Sequence, residues 1–289
     1  MSHSVISLGL GLGGGKSATS SGAPAGGGGP LPPLIIYTIT NTGSAFYLRS
    51  SGTVDYTVDW GDGSAEEAST SNALLHTYAA SGTYTINVSS DVAYRPYFAN
   101  SGATGEDQIT SVEIRDGINL GTTFSYAWQG AQNMTAFVAS SATSTITSFD
   151  WAWQRCQALT SFSLLDTSSG TNFYAAWYEC STLTTFPALD MSSGTSFTYT
   201  WGQCFALTTF PANMFDNTAN GSFGQAWLNC ALTAQSIENI LVSLVASGAT
   251  SKPLAINGGA NAGKSTWSPA AVTAYDTLIT RSWTIAFNA

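Results

Sequence analysis

Four cysteines, at positions 156, 180, 204 and 230, are the side chains of this chain best suited by type to metal or redox chemistry. A zinc site needs ligands converging from close spacings such as Cys-x2-Cys, but here successive cysteines lie 24, 24 and 26 residues apart. Each one closes the phrase Phe-x-x-x-Trp-x-x-Cys: Phe149-Trp153-Cys156, Phe173-Trp177-Cys180, Phe197-Trp201-Cys204 and Phe223-Trp227-Cys230. An earlier copy, Phe124-Trp128-Ala131, has alanine in the cysteine position. The cysteines therefore mark a repeat and read as small buried thiols. Disulfides between neighbouring copies are the competing reading.

A second chemical lure is Gly258-Gly-Ala-Asn-Ala-Gly263-Lys264-Ser265, which satisfies the letter of the phosphate-binding Gly-x4-Gly-Lys-Ser pattern. That loop works only where a helix opens at the Lys and Ser, so that its amides face phosphate. Trp267-Ser-Pro269 interrupts such a start, and a capping loop is expected instead. His3 and His76 are the only histidines. Glu66-Glu67 reads as a solvated loop, and Asp166 and Asp190 recur as turn formers. A polysaccharide hydrolase needs two carboxylates held about 5 or 9 Å apart, and no pair stands out for that role. The expectation is of no catalytic, cofactor-binding or metal-ligating residue, and of no cofactor.

The phrase starts are separated by 25, 24, 24 and 26 residues, the signature of stacked coils that supply a surface. Phe173, Trp177 and Cys180 stand at i, i+4 and i+7, one face of a short helix. Ser169-Gly-Thr-Asn172 offers helix-starting side chains, and Thr184-Thr-Phe186 a short strand that Pro187 stops. Each coil should thus give one helix and one strand, with Phe and Trp of successive copies stacked as a buried spine. A carbohydrate-binding stripe is the competing role for those rings. Ile109 to Ile114 would lead the first coil.

Upstream, residues 34–40, 54–60 and 83–89 read as strands rich in β-branched and aromatic residues, with turns at Gly61-Asp62-Gly63 and Ser81-Gly82. Downstream the period lapses. Residues 235–246 and 270–280 read as helices, 254–256 and 283–287 as strands, together a cap for the last coil. Residues 1–33 are rich in Gly, Ser and Ala and read either as a flexible linker or as an anchoring arm threaded against a partner.

Charged residues make up only 9% of the chain, against roughly 25% in an ordinary soluble domain. The net charge of −9 and eight scattered Lys and Arg give no basic patch, so nucleic acid is not an expected partner. No apolar run is long enough to span a bilayer, so membrane insertion is not expected. Met1 to Gly15 lack the pattern of an ordinary secretory signal.

Val58-Asp-Trp-Gly-Asp-Gly-Ser64, His76-Thr-Tyr78 and Ser81-Gly-Thr-Tyr-Thr-Ile-Asn-Val88 resemble a PKD-type immunoglobulin-like domain over residues 34–90. The resemblance implies a core role for Trp60 and Tyr78 and turn-shaping roles for Asp59 and Asp62. The repeat phrase, with Leu-Thr-x-Phe after it, resembles BspA-like leucine-rich repeats over residues 107–232, with Trp where the family usually has Phe. Such repeats occur in bacterial surface proteins and phage structural proteins. The implied architecture is a mixed fold: a small antiparallel β-sandwich, a short α/β leucine-rich-repeat solenoid and a C-terminal cap over residues 233–289. The combination is similar to virion proteins of tailed bacteriophages. It implies a non-enzymatic tail fibre, adhesin or particle-surface attachment protein located in the virion. Its expected partners are other virion proteins through the arm, further copies of itself, and a host surface glycan or protein. Capsid decoration, a bacterial cell-surface adhesin and a polysaccharide depolymerase are the alternatives.

Overall fold

Alternation of buried and wet side chains builds the first part of the molecule. The computed structural model describes residues 34–52, 55–99, 105–139, 143–218 and 220–289. The proposed arm, residues 1–33, lies outside them. Strands β1 (Leu34–Asn41), β2 (Ala45–Arg49), β3 (Tyr56–Asp59), β4 (Glu67–Ser69), β5 (Ala73–Thr77) and β6 (Gly82–Ser89) precede the repeats. They are followed by β7 (Ile109–Ile114) and β8 (Ala136–Ala139). One six-stranded sheet runs β4-β3-β6-β1-β7-β8, and β2 and β5 form a separate antiparallel pair. Tyr37 of β1 stands opposite Ile86 of β6 on one side and Val112 of β7 on the other. Phe98 joins the two sheets, packing on Tyr37 and Phe46 at ring-centroid distances of 5.9 and 6.1 Å.

The sheet does not end where the repeats begin. β7 pairs antiparallel with β1 and parallel with β8, with Val112 opposite Phe137. The first coil therefore continues the sheet of the preceding strands. Tyr94 and Phe98 add backbone bonds from their amides to the carbonyls of Asn119 and Tyr126.

The coils themselves carry no α-helix among the described residues, which corrects the expectation for Phe173 to Cys180. The segment is instead two β-turns in tandem. Ala176 N–H donates to Phe173 O at 3.1 Å and Cys180 N–H to Trp177 O at 3.2 Å. The third residues of these turns, Ala175 and Glu179, have φ of 51° and 63°. A positive φ there is the mark of a type II turn. Turns of four residues repeat every four residues, so they place Phe and Trp on one side as a helix would. The i, i+4 spacing could not distinguish them. Asn172 likewise does not cap a helix; its Oδ1 accepts from Tyr174 N–H at 3.1 Å.

The other amides of the turn segment bond to the next coil, while threonine amides such as Thr171 and Thr195 donate back to the preceding one. Phe149, Trp151, Trp153 and Arg155 donate to the carbonyls of Asn172, Tyr174, Ala176 and Tyr178 at 2.7 to 3.0 Å. Beyond β8, the expected strands shrink to isolated parallel bridges such as Thr185 with Thr209.

Rings fill the interior. Trp128, Trp153, Trp177, Trp201 and Trp227 form one column with centroid spacings of 5.6, 5.1, 6.1 and 5.1 Å. Phe149, Phe173, Phe197 and Phe223 form a second, nearly parallel at 5.1, 5.3 and 4.9 Å. Phe137, Phe162, Phe186 and Phe210 form a third that meets the indoles edge-on, as in the 4.8 Å pair of Phe186 with Trp177. Offset-stacked and edge-on contacts of this kind are favoured by the ring quadrupoles.

The stack is closed by α1 (Ala234–Ala246), β9 (Pro253–Ile256), α2 (Pro269–Thr280) and β10 (Thr284–Phe287). Thr233 and Ser268 cap the two helices by accepting from Ser236 and Ala271 N–H, and Pro269 occupies the first turn of α2. β9 takes the place of a sixth coil: Ala255 O and Asn257 O accept from Trp227 and Asn229 N–H. Trp283 covers Phe223 at 6.0 Å. The architecture is thus mixed and mostly strand and turn, with two α-helices among the described residues. None of these helices is long and apolar enough to cross a membrane.

Candidate functional site

The residues singled out by spacing lie inside. Phe124, Trp128, Phe149, Trp153, Cys156, Phe173, Trp177, Cys180, Phe197, Trp201, Cys204, Phe223, Trp227 and Cys230 are all fully buried. They can position a surface but cannot touch a partner, so these rings are not a binding stripe. The thiols are free, and each donates to the tryptophan carbonyl of the preceding coil, at 3.1 Å for Cys180 on Trp153 and Cys204 on Trp177. Burial pushes the Cys180 thiol up to about 12 and raises the other three as well. Such thiols are poor nucleophiles and poor metal ligands.

In the strands before the repeats, Trp60 and Tyr78 are buried, and Tyr78 Oη donates to Trp60 O at 3.1 Å. Asp59 Oδ1 accepts from Gly61 N–H at 2.9 Å and Asp62 Oδ1 from Ser64 N–H at 3.0 Å. The Ser64 hydroxyl and amide hold the Asp62 carboxyl down to about 2, with His76 a lesser contributor. His76 Nε2 lies 2.8 Å from Asp62 Oδ2 while its ring stacks on Trp60 at 4.5 Å. Glu66 is an exposed loop residue, whereas Glu67, also exposed, belongs to β4 and its Oε2 accepts from Trp60 Nε1 at 3.2 Å. Asp166 and Asp190 accept from the amides of Ser168 and Ser192.

The Gly258–Ser265 loop is consumed by the chain's own end. Asn288 Oδ1 accepts from Gly258 N–H at 2.8 Å, and Lys264 N–H donates to Asn288 O at 2.9 Å. The Lys264 ammonium sits 3.7 Å over the Tyr275 ring centroid. Among the described residues, no group of three or more His, Cys, Asp and Glu could hold a metal ion.

What the spacing argument missed is the outward face of the tandem turns. The corner positions of the turns point away from the ring columns. In four successive coils they carry Tyr126, then Trp151, then Tyr174 and Tyr178, then Tyr199, all half-buried. Tyr97 precedes them. Neighbouring centroids are 5.9 Å apart from Tyr97 to Tyr126, 6.3 Å to Trp151, 5.3 Å to Tyr174 and 5.9 Å to Tyr199. Tyr126, Trp151 and Tyr199 have φ near 60°, where glycine or asparagine would be easier. The same turn position has positive φ in the other coils, as at Ala175 and Gln225, so the turn sets this conformation whatever the side chain.

Polar groups flank the ridge. Asp150 accepts from the hydroxyls of Ser125 and Ser148. Arg155 Nε pairs with Glu179 Oε2 at 2.7 Å across adjacent coils, and the Gln129 and Gln154 amides bond to each other. Burial, then the Asp150 charge, raises the Tyr126 phenol; burial, then Glu179, raises that of Tyr178. The hydroxyl-rich rows elsewhere differ in kind. Thr147, Thr171 and Thr195 each direct Oγ1 to the carbonyl of the matching threonine one coil earlier, at 3.0 to 3.1 Å. Those hydroxyls already serve the stack. A face of rings and a few charges on a rigid support has the chemical makeup that recognition requires.

Comparison of the chain with protein-family models, curated proteins and solved structures gave no match in any of the three.

Proposed function

We propose that this protein is a non-enzymatic structural protein of a tailed-phage virion, which presents the turn face of its stacked coils to a partner outside the particle. In this reading residues 34–90 are a PKD-type immunoglobulin-like module serving as spacer. Residues 107–232 are BspA-like leucine-rich repeats in which tandem turns replace the helix. Residues 1–33 are the arm that joins other virion proteins. One observation carries the reading: the half-buried ridge from Tyr126 to Tyr199 is held on the outer side of the turns by columns of fully buried rings. The low charge and hydroxyl-rich surface fit a protein exposed on a particle.

The test is to locate the chain in purified particles by electron microscopy with a labelled antibody, and to measure host adsorption in the presence of added free protein. Surface label and competed adsorption are expected. A chain missing from particles ends the virion reading. Surface label with undiminished adsorption favours capsid decoration instead.

A further inference from the structure

We propose that the turn face binds an extended, uncharged glycan whose chain lies along the stack axis, with the Trp151 ring as its central platform. The inference rests on the surface-presenting reading and names the occupant of that same face.

Periodicity is the first argument. Each of four successive coils carries at least one ring of the ridge, with neighbouring ring centroids 5.3 to 6.3 Å apart. A row with a ring in each of four coils suits a periodic polymer, since each added unit meets another ring, although ring planes turn by 63° and 76° from Trp151 to Tyr174 and on to Tyr199. Chemistry is the second. A pyranose offers an apolar C–H face to an aromatic ring and a rim of hydroxyls to polar groups, and this face carries rings with Asp150, Arg155 and Glu179 beside them. Tyrosine and tryptophan give such contact at low entropy cost, because each has only two side-chain torsions to fix.

Charge separates the candidate polymers. Arg155 and Glu179 neutralise each other, leaving Asp150 as the excess charge on the turns, while Arg49 adjoins Tyr97 at the end of the ridge. An acidic polysaccharide would meet a carboxylate and no free cation on these turns, so a neutral polymer is favoured.

The strained backbone supplies the test. Trp151 has φ of 59°, a conformation glycine adopts freely, so Trp151→Gly removes the platform while suiting the turn. Tyr199→Gly does the same at φ of 60°. Calorimetric titration of the full chain would use neutral gluco-, manno- and N-acetylglucosamine oligosaccharides of graded length, with polygalacturonate as the acidic comparison. Expected is saturable binding to at least one neutral series, tightening with length until the ridge is spanned. Each glycine variant should bind about tenfold more weakly with its melting temperature kept. No saturable binding in any neutral series, preference for the acidic polymer, or binding unchanged in both variants overturns the proposal. So does a protein receptor whose capture requires Trp151, although that outcome leaves the surface-presenting reading intact. Glycan binding by a chain missing from particles does the reverse.

Discussion

The side-chain amide of Asn261 donates to the carbonyl oxygen of Trp227 at 3.0 Å, the place a cysteine thiol takes in every earlier pair of coils. Cys156, Cys180, Cys204 and Cys230 reach Trp128, Trp153, Trp177 and Trp201 in turn. The alanine at position 131 now has a reason: no tryptophan carbonyl of this repeat precedes the first coil. The cap completes the same ladder with a different donor, and Asn261 Oδ1 accepts from Leu232 N–H at 2.9 Å.

Asn261→Ala should therefore cost more than any one cysteine. Loss of two buried hydrogen bonds is worth about 2–3 kcal/mol, whereas Cys204→Ala should cost about 1–2 kcal/mol for a weak donor and a small void. Urea denaturation of the two variants checks the order. Equal costs would mean that the thiol bond matters as much as the amide.

The thiols set an alkaline limit to stability. Their neutral form is favoured by burial, and the Cys180 thiol moves from 9.0 to about 12 on folding. The unfolded chain loses these protons first, so the stabilisation is whole below pH 9 and drains away as pH rises from 9 toward 12. The urea midpoint should fall over that window, and fall less in a variant with all four cysteines changed to alanine. Buried phenols such as Tyr94 shift the same way, which makes the comparison with that variant necessary. In the native state at pH 8 the thiols should also resist an aromatic disulfide reagent, with four reacting per chain in denaturant.

Trp177 and Trp151 should separate stability from recognition. Trp177→Ala empties the middle of the indole column and should cost about 3–5 kcal/mol. Trp151→Gly should leave the unfolding midpoint close to that of the parent chain. A large loss of stability in Trp151→Gly would make the outer ridge a structural element.

Gly194 precedes Phe197 in the phrase Ser192-Ser-Gly-Thr195, and a Cβ there would lie 2.1 Å from Phe197 Cζ. Gly194→Ala must push that ring out of its column, at a cost of about 1–3 kcal/mol. Near-ultraviolet circular dichroism should lose stacked-ring signal in step with the melting temperature.

The periodic part of this molecule was legible in the chain because a stack repeats its demands at each coil. Phe, Trp and Cys recur where a ring column and a carbonyl donor recur. Both cap helices, residues 235–246 and 270–280, were legible from apolar spacing and the proline at 269. Three features were not. Tandem turns and a helix both bring positions four apart onto one side, and only the positive φ of residues such as Glu179 separates them. The pairing of β1 with β7 joins residues seventy or more positions apart, which no local pattern encodes. The outer ridge was hidden because Tyr126, Trp151, Tyr174 and Tyr199 differ in type and in phrase position, so they form no motif. The sequence by itself determined a repeat with a buried aromatic spine, since burial of large rings is dictated by water. Which rings stay at the surface, and that they align, was decided only when the turns set every fourth residue inward and turned the corners out.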